Sequence, residues 1–110
     1  MRKTMLAAIA VALASCQTAA DQKRPLISYP EAKELAYCLR DRAKPAARQE
    51  GGPLELGIVV ASMCSGPRNR LHDAISRDEG PRYAYLVMRD MERDDAKLAA
   101  EAIVRYRAGG

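Results

Sequence analysis

Three cysteines, Cys16, Cys38 and Cys64, are the residues of this 110-residue sequence best suited to covalent chemistry. A thiol can take a lipid, close a disulfide, attack a substrate or bind a metal, and its surroundings decide which. None of the three belongs to a Cys-x-x-Cys or Cys-x-x-Cys-His spacing. We therefore expect no metal and no cofactor, although a reactive or metal-binding thiol stays open as the alternative for the two later cysteines.

The segment before Cys16 has the pattern of an export signal. Arg2 and Lys3 make its start basic, and residues 5–14 contain no polar side chain. This apolar run is about ten residues long, whereas a membrane-spanning helix needs roughly 20. We therefore expect the segment to be cleaved rather than retained.

The end of that run, Leu13-Ala14-Ser15-Cys16, resembles the lipobox of bacterial lipoproteins. The resemblance implies that the Cys16 thiol receives a diacylglycerol, that the chain is cut just before it, and that the new amine is acylated. Because Gln17 rather than Asp follows, it also implies a location on the periplasmic face of the outer membrane. The membrane is then a partner through the N-terminal lipid.

This interpretation divides the chain into a signal peptide (1–15), a lipidated N-terminus with a flexible tether (16–27) and a helical domain (28–110). Two alternatives stay open. Ordinary secretion would use Thr18-Ala19-Ala20 as the cleavage site and release a soluble periplasmic protein. The apolar N-terminus could also have arisen by chance on an intracellular protein.

Both export routes leave Cys38 and Cys64 as an even pair. In an oxidising compartment such a pair is expected to form a disulfide. Closing a loop of about 26 residues contributes roughly 3 kcal/mol in the loop-entropy model. That is a large share of the 5–15 kcal/mol or so by which small domains are stable.

Residues 28–45 have the features of an amphipathic first helix. Ser28 and Glu31 stand at the spacing of a capping box, and Pro45 is expected to end the helix. Its apolar residues recur every three or four positions: Ala32, Leu35, Ala36, Leu39 and Ala43. Cys38 lies at the edge of that stripe, where it can reach a neighbouring helix.

Residues 54–64 are apolar on nearly every side, which predicts a central, buried second helix. The β-branched residues 58–60 leave a strand open as the alternative. Gly66 and Pro67 are expected to stop the helix in a loop. A hairpin of the first two helices would bring Cys38 within disulfide distance of Cys64.

The rest of the chain predicts two more helices. A short one runs from about Asn69 to Arg77, Gly80-Pro81 breaks the chain, and the last helix covers residues 82–107. Asp95 falls within the apolar face of that helix. We favour a continuous helix with Asp95 at a solvated edge over a break near Asp94-Asp95. The predicted fold is a small all-α bundle of about four helices with one disulfide.

Charge argues against nucleic-acid binding. The net charge is +4, but without Arg2 and Lys3 only 16 of the 18 basic residues remain against 14 acidic ones, which leaves +2. Acidic residues are interspersed with the arginines, and there is no Trp or Phe on which bases could stack. We therefore expect no nucleic-acid partner.

Catalysis has one candidate, the only histidine, His72, which could act as a general base oriented by Asp73. The sequence contains no nucleophile elbow and no zinc-protease motif to accompany it. We therefore read His72 as an exposed histidine and predict no catalytic residue, with an enzyme kept as a remote alternative.

A candidate partner surface combines basic and aliphatic residues. Arg68 and Arg70 lie at the start of the third helix, and the fourth helix carries Leu86 and Val104 with Arg93 and Lys97 between them. The alternative is an ordinary solvated surface.

The function predicted from these features is a non-enzymatic envelope lipoprotein that serves as a protein-interaction or structural module. A periplasmic inhibitor or immunity protein, which binds an effector or hydrolase, is the alternative.

Substitution Cys16→Ala is expected to abolish metabolic labelling of the protein with palmitate, because the sulfur that takes the diacylglycerol is gone. The variant Cys38→Ala/Cys64→Ala is the control and should still be labelled. Intact-mass analysis of the wild type should give a lipidated chain that begins at Cys16 and gains two hydrogens on reduction. An unlipidated chain that begins at Asp21 would contradict the lipoprotein interpretation.

Overall fold

The computed structural model describes residues 24–109, and within that range the chain forms five α-helices and no strand. The helices are α1 (Pro30–Ala46), α2 (Pro53–Met63), α3 (Ser65–Glu79), α4 (Pro81–Met88) and α5 (Met91–Arg107), and a 3-10 turn (Leu26–Ser28) precedes α1. The all-α fold class is confirmed, and the strand alternative for residues 58–60 is wrong. Cys16 and its lipobox lie outside the described residues.

Helix ends follow local chemistry, with two departures from expectation. Pro30, Pro53 and Pro81 each occupy the first turn of a helix, where their missing N–H costs nothing. The prediction of a capping box at Ser28 is wrong, because the Ser28 hydroxyl donates a 2.6 Å hydrogen bond to the Pro25 carbonyl. Helix α1 therefore begins at Pro30, and it ends one residue after Pro45.

The loop expected after the second helix is absent. Cys64 alone separates α2 from α3, and Ser65-Gly66-Pro67 forms the first turn of α3. A proline is compatible with that turn because the first N–H groups of a helix have no partner within it. Helix α3 is consequently longer than the predicted Asn69–Arg77.

The predicted last helix is divided. It breaks at Arg89-Asp90, upstream of the Asp94-Asp95 position considered in the sequence, and α5 begins at Met91. The continuous helix with Asp95 at a solvated edge is therefore wrong. Asp95 is only 4% exposed, and its carboxylate accepts a hydrogen bond from the buried Arg68 side chain.

The hydrophobic core is built mainly by α1, α3 and α5. Its largest fully buried side chains are Tyr29, Leu71, Ile75, Ile103 and Val60. Helix α2 contributes one face through Gly57, Val60 and Ala61. The expectation that α2 is central and buried is wrong, because a bundle this small cannot enclose every side of a helix.

The disulfide between Cys38 and Cys64 is present, with 5.9 Å between the two Cα atoms. It joins the middle of α1 to the end of α2, as the hairpin of these helices predicts. Cys64 is fully buried, so the bridge is part of the core.

Helices α2 and α5 approach so closely that only glycine fits at position 57. A Cβ placed there would overlap the Ala96 carbonyl oxygen and would lie 3.0 Å from the Ala100 nitrogen. Both are backbone atoms, which a side-chain rotation cannot move away. The C-terminal end of α5 meets the loop before α2, where Arg107 donates hydrogen bonds to the Ala47 and Gln49 carbonyls.

Arg24, four residues before the predicted domain boundary at residue 28, contacts the helical domain. The Arg24 guanidinium pairs with Asp78 at 2.9 Å and stacks over the Tyr29 ring at 4.1 Å. The Tyr29 hydroxyl donates to Glu79 at 3.3 Å. Arg24, which the sequence assigns to the tether, is thus held against the end of α3.

Among the described residues, no helix has both the length and the apolar character that crossing a bilayer requires.

Substitution Gly57→Ala is expected to destabilise the domain by about 2 kcal/mol or more, because the added methyl group forces α2 and α5 apart. Urea denaturation with the disulfide intact measures this. Helix propensity alone predicts the opposite sign, a gain of up to about 1 kcal/mol.

Gly66→Ala is the matched control. Gly66 also lies in a helix, but a Cβ there meets only the flexible Arg70 side chain at 3.6 Å, so its stability should change by less than about 1 kcal/mol. Equal effects of the two substitutions would contradict a close contact specific to Gly57.

Candidate functional site

A groove of about 600 Å³ lies between α2 and the N-terminal half of α5. Leu54 and Ile58 of α2 form one wall, and each is 56% exposed. Ala61 and Ala96 are buried and form the floor. We call this feature the α2–α5 groove.

The opposite wall of the groove is mostly cationic. Arg89, Arg93 and Lys97 line it together with a single carboxylate, that of Glu92. Arg89 and Arg93 each approach Asp90 at 3.6 Å, and all three side chains are more than half exposed. Exposed ion pairs of this kind are weak, so both guanidinium groups remain available to another anion.

One buried ion pair fixes the wall that α5 contributes. The Arg68 Nε donates to the Asp95 carboxylate at 2.9 Å, and its Nη2 donates to the Ala61 carbonyl at 2.7 Å. Arg68 belongs to α3, Ala61 to α2 and Asp95 to α5. A single guanidinium therefore ties three helices together directly beneath the groove.

Burial raises the pKa of Asp95 above its ordinary value of 3.8, and the hydrogen bond and charge of Arg68 offset only part of that effect. Asp94 and Glu92 add to the increase through their negative charges. The free-energy cost of removing a carboxylate from water exceeds the stabilisation that a single cationic partner provides.

The predicted partner residues do not form one surface. Arg93 and Lys97 line the groove, whereas Leu86 and Val104 are about half exposed outside it. Arg70 is exposed and pairs with Glu34 at 3.4 Å.

Arg68 was predicted at that surface, but it is only 8% exposed. It is thus an internal tie and not a residue that a partner can touch. The reason is Asp95, a buried carboxylate on another helix that needs a cation.

His72 and Asp73 lie on the outside of α3 with 3.7 Å between Nδ1 and the carboxylate oxygen. The Asp73 side chain is largely exposed, and neither residue lines the groove. Between residues 24 and 109, no group of three or more His, Cys, Asp or Glu side chains is arranged to hold a metal ion.

A second groove, of about 470 Å³, lies between α1 and α5 and carries Arg40 and Arg105. Half of its apolar lining residues, Leu39, Ala99 and Ala102, are buried in the core, whereas Leu98 is 55% exposed. It therefore offers a ligand less apolar surface than the α2–α5 groove.

Sequence reasoning missed Leu54 and Ile58 as surface residues because it assigned all of α2 to the core. The available signal was the length of the chain, since a domain of about 80 residues has too little mass to surround an apolar helix.

Comparison of the chain with protein-family models, with curated proteins and with solved structures found no match.

Substitution Asp95→Asn tests the raised pKa. The Asp95 carboxyl binds its proton more tightly in the folded chain than in the unfolded chain. The contribution of protonated Asp95 to the free energy of unfolding is therefore fully present below pH 3.8, the ordinary pKa, and is lost as the pH rises through the raised pKa of the folded state. The free energy of unfolding of the wild type minus that of Asp95→Asn should therefore decrease between about pH 3 and pH 7. Urea denaturation at several pH values measures it.

Asp73→Asn is the control and should show a smaller dependence on pH, because it removes a largely exposed carboxylate on α3 that is not among the groups acting on Asp95. If the free energy of unfolding of the wild type minus that of Asp95→Asn instead increases with pH, then the effect of Arg68 on the pKa of Asp95 outweighs the effect of burial. That result would contradict a raised pKa.

Proposed function

We propose that this chain is an exported lipoprotein whose helical domain binds another protein close to the membrane surface. The observation that carries the proposal is the α2–α5 groove, in which half-exposed Leu54 and Ile58 face a cationic wall. The role is recognition and not catalysis.

Exposed aliphatic side chains alone would not support binding, because single ones are common on folded proteins. Here two of them lie one helical turn apart and line the same concavity. An apolar centre with charged residues at its rim is the usual anatomy of a protein interface.

The disulfide supports export, because such bridges persist in oxidising compartments and are rare in the cytosol. The lipobox supports attachment through Cys16. Between Cys16 and Arg24 the chain can extend by at most about 29 Å. Since Arg24 is fixed to α3, the domain of a lipidated chain would work near the membrane, which favours a membrane-proximal partner.

A photoreactive amino acid placed at position 58 of the full chain tests the proposal in the producing bacterium. Irradiation is expected to give one discrete crosslinked product in the envelope fraction, because Ile58 lies in the groove. The same amino acid at position 85 is the control, since Tyr85 is 64% exposed on α4 but lies outside the groove. No product at position 58, or the same products at both positions, would contradict a binding role for the groove.

A further inference from the structure

We propose that the α2–α5 groove accepts an acidic amphipathic helix, with an apolar ridge that packs against Leu54 and Ile58 and carboxylates that pair with Arg89, Arg93 and Lys97. This inference rests on the proposed function and specifies the chemistry of the partner.

The shape of the groove favours a helix. Its apolar floor, Ala61 and Ala96, is buried below the more exposed side chains of both walls. Amphipathic helices bind grooves of this form through apolar residues that recur every three or four positions. Helix α2 has 11 residues and is therefore about 16 Å long, which matches about three turns of a partner.

The positive charge of the groove wall favours a negatively charged partner. Arg93 and Lys97 lie one turn apart on α5, and Arg89 lies at the break just before it, so that all three line the same side of the groove. Glu92 is the only carboxylate among the lining residues. A partner with Asp or Glu beside its apolar ridge would complement this wall, and one with Lys or Arg would be repelled.

Two other occupants fit less well. A flat bilayer cannot reach the recessed floor of a groove between two helices. A second copy of the chain would have to supply carboxylates, but its own exposed apolar helix, α2, contains only one acid, Glu55. Both become outcomes of the test.

The probe is a synthetic helical peptide of about five turns with a leucine ridge flanked by glutamates. A peptide with lysines in place of the glutamates tests charge, and one with the same composition in scrambled order tests amphipathicity. Binding is measured by fluorescence anisotropy on the mature protein purified from cells, held in phosphatidylcholine nanodiscs if it is lipidated and free in buffer if it is not. The measurement thus works whether or not Cys16 carries lipid, which separates it from the anchoring hypothesis.

We expect the glutamate peptide to bind at least about tenfold more tightly than the lysine peptide, a difference of about 1.4 kcal/mol. Ile58→Glu should weaken binding of the glutamate peptide by about tenfold or more. Val59→Glu is the matched control on the same helix, with similar exposure but outside the groove, and should change affinity less than about twofold. Circular dichroism confirms that both variants are folded.

The variant Arg93→Glu/Lys97→Glu tests the proposal from the other wall of the groove, without any change in α2. Both residues are exposed, and reversing their charge should exchange the preference, so that the lysine peptide binds more tightly than the glutamate peptide. Equal binding of the two peptides, or equal effects of Ile58→Glu and Val59→Glu, would overturn the proposal. Two further results would also overturn it if neither peptide binds. One is dimerisation, seen in sedimentation equilibrium, that is lost in Ile58→Glu. The other is binding to phosphatidylglycerol vesicles that is lost in the same variant.

Discussion

The close approach of α2 and α5 is the contact on which the rest of the domain depends. It requires glycine at position 57 because backbone atoms of Ala96 and Ala100 occupy the space of a side chain. With so little distance between the two helices, the larger side chains of α2 cannot all turn inward. Leu54 and Ile58 therefore stay at the rim, and the groove is the direct result of the tight contact below it.

Arg68 and Asp95 complete this arrangement with charge. A carboxylate in the interior is costly unless a cation reaches it, and Arg68 does so while also binding the Ala61 carbonyl at the end of α2. The disulfide from Cys64 to α1 lies at the same end of α2. Covalent, ionic and steric constraints thus act together to hold α2 in place, with the aliphatic wall of the groove on its outer side.

The sequence predicted much of the local structure correctly. Periodic apolar residues, prolines in first turns and the Gly80-Pro81 break placed α1, α2 and the boundary before α4 within a few residues, because these signals act over one or two turns of chain. Cysteine parity predicted the Cys38–Cys64 bridge. The errors at Ser28, at residues 65–67 and at Arg89-Asp90 concern helix ends, where several nearby residues can begin or stop a helix. Ser28 donates to the Pro25 carbonyl instead of capping α1, and Pro67 fits within the first turn of α3.

The sequence by itself determined that the chain is helical, that two of its cysteines pair, and that its N-terminus has the pattern of an export signal with a lipobox, since each depends on residues close together or on a simple count. Only the tertiary structure decided that Arg68 is internal, that Asp95 is buried and that Leu54 and Ile58 face solvent. Burial depends on which helices meet and how closely. That is set by contacts such as Gly57 with α5, between residues about forty positions apart, which no local pattern records.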